Sequence, residues 1–271
     1  MRRVGAIRTE MSEMMTRKEH EKFADSTIFE GMTSISAVIN SGDENNRKIE
    51  KVLIDTAKRK SKQKEIGFLT AKSHEMGFAV EFVASAEIDA ITVGNSHGGI
   101  VAICSDRSIP ALSADAIKQG GFYVYLEGVE DPYNLGYTLR SLYAAGVDGI
   151  LLPPRNWMTA AGVVARSSAG ASELLPIYTA EPDELARLFK AAGYQILCAG
   201  IRDSVSIFDE DFRYPLLLVV GGEKRGISRA LLDSADATVR IDYGRAFRGS
   251  LSAASAATVM AFELFRKNKM N

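Results

Sequence analysis

The second half of the chain alternates short apolar runs with amphipathic stretches, and this constrains the fold more than any other feature. FYVYLEGV at 122–129, GILLPP at 149–154, LLPIYT at 174–179, QILCAG at 195–200, PLLLVVGG at 215–222 and the run at 237–242 read as strands. Helix patterns lie between them, at 135–145, 157–168, 183–192 and 228–235, and a long one begins near Ser252. Strands apolar at nearly every position have no wet face. The pattern therefore predicts a parallel sheet covered by helices on both sides. Ligands of such sheets sit beyond the carboxyl ends of the strands.

The first half is shorter in rhythm. A helix is expected over 28–40, ending near Asn40-Ser41-Gly42. Strands are expected at 51–57, 78–84 and 99–105, with a helix around 63–76 that Gly77 closes. SDRSIPALSADAIKQGG at 105–121 is polar and turn-rich. The reading is thus a polar extension over 1–25, a small α/β domain over 26–105, a linker over 106–120 and a larger α/β domain over 121–271.

Several function classes are disfavoured by composition. No apolar run approaches the ~18–20 residues of a membrane span, and the charged N-terminus lacks an apolar signal core, so a cytoplasmic protein is expected. Cys104 and Cys198 stand far apart and His20, His74 and His97 are scattered, so no metal site is expected. A net charge of −1 does not announce a nucleic-acid partner. The stretch from Arg47 to Lys64 does carry a local basic excess, with Arg59 and Lys60 at its centre, opposed only by Glu50 and Asp55. It suits phosphates, and equally a solvated helix face.

Four segments carry candidate chemistry. In DPYNLGYTLRSLYAAGVDG at 131–149, Asn134 is placed to cap a helix and Arg140 follows six residues later. An arginine near the positive start of a helix gains nothing from the macrodipole, which favours an anionic partner; a capped surface helix with an incidental arginine fits as well. In LLLVVGGEKRGIS at 216–228, an apolar strand runs into Gly221, Gly222 and Glu223. Paired glycines at a strand end permit close approach of a ligand, or simply a tight turn. In GSLSAASAATVMAFELFRKN at 249–268 the helix opens with small residues from Ser252 onward, while Val259, Phe262 and Phe265 recur at helical spacing and read as core. In ARSSAGASELLPI at 165–177, Arg166 precedes a small-residue cluster in which Gly170 suits a helix C-terminus.

Taken in order, NLGYTLRSLYAAG, SSAGA, VVGGEKRGIS and SLSAASAATVMAFE resemble the consecutive motifs of the SpoU/TrmH family of RNA methyltransferases, within the SPOUT superfamily. SHGGIVAI at 96–103 looks like the segment that closes that family's N-terminal domain. The resemblance implies a C-terminal parallel-sheet domain with a deep trefoil knot, preceded by a small L30e-like RNA-binding domain. It implies a homodimer and the cofactor S-adenosylmethionine. The cofactor would be held at positions matching Gly221, Gly222, Ile241 and Leu251, with Ala199 and Gly200 at another strand end. It implies methylation of a ribose 2′-hydroxyl in RNA, ribosomal rather than transfer RNA by analogy with members of this domain arrangement. Asn134, Arg140, Glu223 and Ser252 match the catalytic motif positions, and Arg140, Arg166, Arg245, Arg248, Arg59 and Lys60 are the candidate RNA contacts.

Arginine holds its proton far above neutral pH, so Arg140 is expected to position and stabilise rather than act as a base. One departure stands out. The family's third motif reads Ser-Leu-Asn, whereas this chain has Ser250-Leu251-Ser252, after Ile241-Asp242-Tyr243-Gly244 in place of the usual Ile-Pro-Met. That departure motivates an alternative, an RNA-binding protein that keeps the fold without methylating. A Rossmann-type nucleotide enzyme is disfavoured, because EGVEDPYNLG after the first strand is acidic where a pyrophosphate would lie.

Overall fold

The computed structural model describes residues 27–42, 45–93, 97–155, 160–222 and 225–269. They form two compact units. The expected extension over 1–25 and residue Glu223 lie outside the described residues.

The second unit is built on seven strands, β5 (Phe122–Leu126), β6 (Gly149–Leu152), β7 (Ile177–Thr179), β8 (Gln195–Ala199), β9 (Val205–Ser206), β10 (Leu216–Val220) and β11 (Ala237–Arg240). Their order is β7-β6-β5-β10-β8-β11-β9, and every pairing is parallel. Every residue of β5 and β10 is buried, as strands covered on both faces require. On one face Tyr123, Phe189 and Tyr194 meet edge to face, with ring centroids 4.9–5.8 Å apart. Phe189 belongs to the helix Pro182–Ala191, which has proline at its first position and Asp183 and Glu184 in its first turn. That helix buries Leu185, Ala186 and Phe189 and turns its charges outward. The sequence pattern gives no sign of β9, since two residues leave no periodicity to read.

The first unit carries β1 (Ile28–Glu30), β2 (Ile49–Asp55), β3 (Ala79–Val83) and β4 (Ile100–Cys104) in the order β1-β4-β2-β3. Only β2 and β3 are parallel. The expected helix over 28–40 is shorter than its pattern. Ile28–Glu30 pairs with β4, and Gly31, at φ +79°, turns the chain into the helix Gly31–Asn40. A short helix at Ser85–Ile91 is a further element that the pattern does not show.

The helix Ala161–Ser167 and the turn Ala171–Leu174 follow β6 in sequence and are expected with the larger domain, yet residues through Glu173 pack into the first unit. Ala161 and Ala165 enter its core beside Phe29 and Ile35. A Cβ on Gly162 would lie 2.0 Å from the Ile28 carbonyl oxygen, so the helix rides directly on β1. Gly170, at φ +86°, ends it with an N–H donated to Ala165 O at 2.8 Å. The segment is anchored by a buried ion pair, Arg47 Nε to Glu173 Oε2 at 3.0 Å, which Asn45 joins by donating to the same oxygen. Among the described residues, no helix is long and apolar enough to cross a membrane.

Candidate active site

The carboxyl ends of β5 and β10, neighbours at the centre of the sheet, are locked to one another. Glu127 N donates to Val220 O, and the Glu127 carboxylate accepts from Ser228 N at 2.8 Å. Gly226 N returns to Gly222 O at 2.9 Å, folding the glycine loop back on itself. A Cβ on Gly222 would stand 2.4 Å from Gly128 O, and one on Gly221 2.4 Å from the Gly226 carbonyl carbon. Both glycines are therefore required by backbone packed on backbone, beyond any close approach of a ligand.

Beside this junction is a cavity of about 320 Å³. Glu127, Glu130, Asp131 and Asn134 line it from the β5 side. Gly222 and Arg225 face them from the glycine loop, and Ala253 and Ala254 from the start of the last helix, Ala253–Lys269. The wall carries three carboxylates against one guanidinium, which favours a cationic group inside. Glu130 is also paired with Arg155 at 3.5 Å. The two thiols take no part in this chemistry: burial pushes Cys104 and Cys198 up to about 12, so both stay neutral.

The cap of the helix Pro132–Ala144 is Asp131 rather than Asn134. The Asp131 Oδ1 accepts from Asn134 N at 2.8 Å, and Pro132 occupies the first helical position. Asn134 is thereby left on the cavity wall, in the first turn. Asp131→Ala should lower stability by about 1 kcal/mol, read by urea denaturation; an unchanged midpoint would mean the cap is idle.

Of the expected site residues, Asn134 and Gly222 meet at this cavity. Ala199 and Gly200 end β8, Gly221 follows β10 and Ile241 follows β11, so these positions share the carboxyl edge of three adjacent strands. Leu251 is held by its N–H to the Tyr243 hydroxyl at 3.1 Å. Arg140 is exposed on its helix and does not line the cavity. Arg245 and Arg248 are exposed in the stretch before Leu251. In the first unit, Arg59 lies over the Phe82 ring at 4.7 Å, Lys60 is exposed, and Arg166 is paired with Glu30 at 2.6 Å. Glu127, Glu130, Asp131 and Arg225 join the wall although none of them is among the expected site residues. Their sequence signal is only their place directly after two apolar strands.

Ser252 accepts at its Oγ from Ser255 N at 3.2 Å and sits within 3.0 Å of the Ser255 hydroxyl, while its carbonyl accepts from Ala256 N. It is the N-cap of the last helix, a role that asparagine fills equally well. Ser252→Asn should therefore fold normally and leave methyl transfer unchanged or raised, as measured by initial rate. A large loss would mean that the active site is built around the shorter serine.

Two family models match the chain. The SpoU rRNA methylase family matches residues 121–262, and a model described as RNA 2′-O ribose methyltransferase substrate binding matches residues 28–110. A Staphylococcus saprophyticus protein, whose name places it among TrmH family tRNA/rRNA methyltransferases, is 30% identical over 247 residues, covering 89% of this chain and 95% of its own. The crystal structure of an AdoMet-bound rRNA methyltransferase from Sinorhizobium meliloti superposes with a TM-score of 0.74 at 27% identity, over 91% of this chain and 94% of that one. The SpoU methyltransferase AviRb from Streptomyces viridochromogenes shares the fold, with a TM-score of 0.73 at 21% identity, over 93% and 99% of the two chains. With more than half of its length matched, the chain belongs to the SpoU family of RNA methyltransferases.

Proposed function

We propose that this protein transfers a methyl group from S-adenosylmethionine to a ribose 2′-hydroxyl of RNA, ribosomal RNA in preference to transfer RNA, and works as a homodimer. The observation that carries the reading is one cavity at the carboxyl ends of β5 and β10, lined jointly by Asn134, Gly222, Arg225 and the start of the last helix. The residues present suit the cofactor. Ala199-Gly200, Gly221-Gly222 and Ile241 offer backbone and small or apolar side chains on one edge, with the apolar Ile201 71% exposed beside them. The adjoining carboxylates favour a positively charged sulfonium. In this proposal the strand at 215–222 and the segment at 237–252 belong to a knot, so that these strand ends form a fixed cradle.

S-adenosylmethionine supplies an activated methyl, so the protein's task is alignment. Asn134 orients the ribose from the cavity wall. Arg140 holds the adjoining phosphate and stabilises negative charge developing on the 2′-oxygen as its proton leaves to solvent. Glu223 serves to orient Arg140 or the glycine loop rather than to take the proton. Arg245, Arg248, Arg59 and Lys60 add contacts to the RNA backbone. The dimer reading is supported by Phe208 and Phe262, 40% and 42% exposed, which with Val259 and Phe265 border an apolar hollow of about 540 Å³ along the last helix.

The test is transfer of labelled methyl from S-adenosylmethionine to total bacterial RNA taken from cells lacking the protein, followed by nucleoside analysis and fractionation of the RNA. A new 2′-O-methylnucleoside in ribosomal RNA is expected. Label on a base would overturn the ribose assignment. Cofactor binding without transfer would favour a second reading, a non-catalytic RNA-binding protein, which Ser252 at the position of the family's asparagine motivates.

A further inference from the structure

Within the first unit, a cavity of about 370 Å³ opens at the start of the helix Gly31–Asn40. Gly31, Met32, Thr33 and Ser34, its whole first turn, line the wall. Its first three amides, of Gly31, Met32 and Thr33, have no acceptor inside their own helix. No side chain caps them here: the N-cap residue Glu30 makes no cap hydrogen bond, and the first turn holds no acidic residue. The Glu30 carboxylate instead accepts from Val93 N at 2.8 Å and from Arg166 Nη1 at 2.6 Å. A second helix, Gln63–Met76, begins at the same cavity, through Lys62 and Glu65, and its N-cap also makes no side-chain cap bond. That second helix carries Glu65 in its first turn, so the uncompensated positive end facing this space is the start of Gly31–Asn40, with Arg166 and Lys62 at its border.

Ser34 is the independent observation. It lines the cavity, is only 2% exposed, and its hydroxyl makes no hydrogen bond among the described residues. A hydroxyl buried this deeply ordinarily has a partner. In a helix the usual one is the carbonyl four residues back, as Thr138 uses Asn134 O at 2.7 Å. Ser34 does not take that bond, and its donor is left for a group inside the cavity.

Two carboxylates work against an anion here, and neither prevents one. Glu30 is already engaged by an amide and by Arg166. Glu65 pairs with Lys62 at 2.8 Å, but these side chains are 30% and 34% exposed, so the pair is weak and Lys62 can exchange its partner.

We propose that this cavity binds a phosphate group of the RNA backbone, held by the amides of Gly31–Thr33, the Ser34 hydroxyl and the cations of Arg166 and Lys62. The inference rests on the RNA-substrate reading above. It assigns this point of the substrate-binding domain a positioning contact that carries no sequence information.

Two measurements on the full chain test it. Titration of the ¹⁵N-labelled protein with inorganic phosphate should move the amide resonances of Gly31–Thr33; no shift there would overturn the anion site. Filter binding of total bacterial RNA across a salt series should show Lys62→Ala weakening binding several-fold and reducing the salt slope by about one. Ser34→Ala should weaken it two- to five-fold with the slope unchanged. RNA binding that is the same for wild type and both variants would overturn this site and leave the RNA-substrate reading standing. Phosphate shifts in a wild type that binds no RNA would overturn the RNA assignment and the function reading together, leaving a site for free phosphate.

Discussion

Gly222→Ala is expected to destabilise the protein by about 3 kcal/mol or more, since overpacking against an unyielding neighbour lies at the costly end of such changes. The added Cβ would stand 2.4 Å from Gly128 O and 2.7 Å from Gly128 Cα, both of them backbone atoms. Neither side can retreat cheaply. Gly128 follows β5 and Gly222 follows β10, which are buried along their whole length and paired from Leu216–Phe122 to Val220–Leu126. The bonds from Glu127 N to Val220 O and from Ser228 N to Glu127 Oε2 fix the two loops to each other. Gly128→Ala should cost a similar amount, and the double variant less than the sum, because both strain one contact. Gly67 is the control. It lies inside the helix Gln63–Met76, and a Cβ added there would meet nothing within 4 Å, so Gly67→Ala should gain up to about 1 kcal/mol. Urea unfolding reads all four. A Gly222→Ala loss below about 0.5 kcal/mol would show that the two loops separate readily.

Arg140→Ala is expected to lower methyl transfer by about a hundred-fold or more, the scale seen when a transition-state donor is lost. Its affinity for S-adenosylmethionine should stay within a few-fold. Six residues at ~100° each put Arg140 about 120° around the helix from Asn134, so the two groups address a substrate from different sides. The Arg140 side chain is exposed and makes no hydrogen bond or ion pair among the described residues. Its removal should therefore leave stability within about 0.5 kcal/mol, which separates a functional loss from a folding defect. Arg140→Lys should recover only part of the rate, because an ammonium lacks the flat fork that grips a phosphate. Near-normal turnover by Arg140→Ala would remove the residue from the mechanism.

The sequence by itself determined the sheet. Runs such as FYVYL and LLLVV admit no wet face, and the six longer strands of the second unit lie where those runs are. It also determined where helices stop, because Gly77, Gly146 and Gly193, all near φ +80°, are the residues that tolerate that backbone. The ordered motifs, NLGYTLRSLYAAG through SLSAASAATVMAFE, were legible as a family pattern and agree with the match over 121–262. What only the tertiary structure decided were matters of long-range pairing. Ile28–Glu30 is a strand because β4 lies beside it, which three residues cannot reveal. Ala161–Glu173 packs with the first unit because Ala161, Gly162 and Ala165 fit against β1 and its core, and Glu173 finds Arg47. Asp131 rather than Asn134 caps the helix because the chain leaves β5 one turn earlier than composition suggests. The acidic run after β5 becomes a cavity wall because β10, distant in sequence, is its neighbour in the sheet and brings Gly222 and Arg225 opposite. Periodicity reports which way a side chain faces, and it carries no record of which strand will stand beside it.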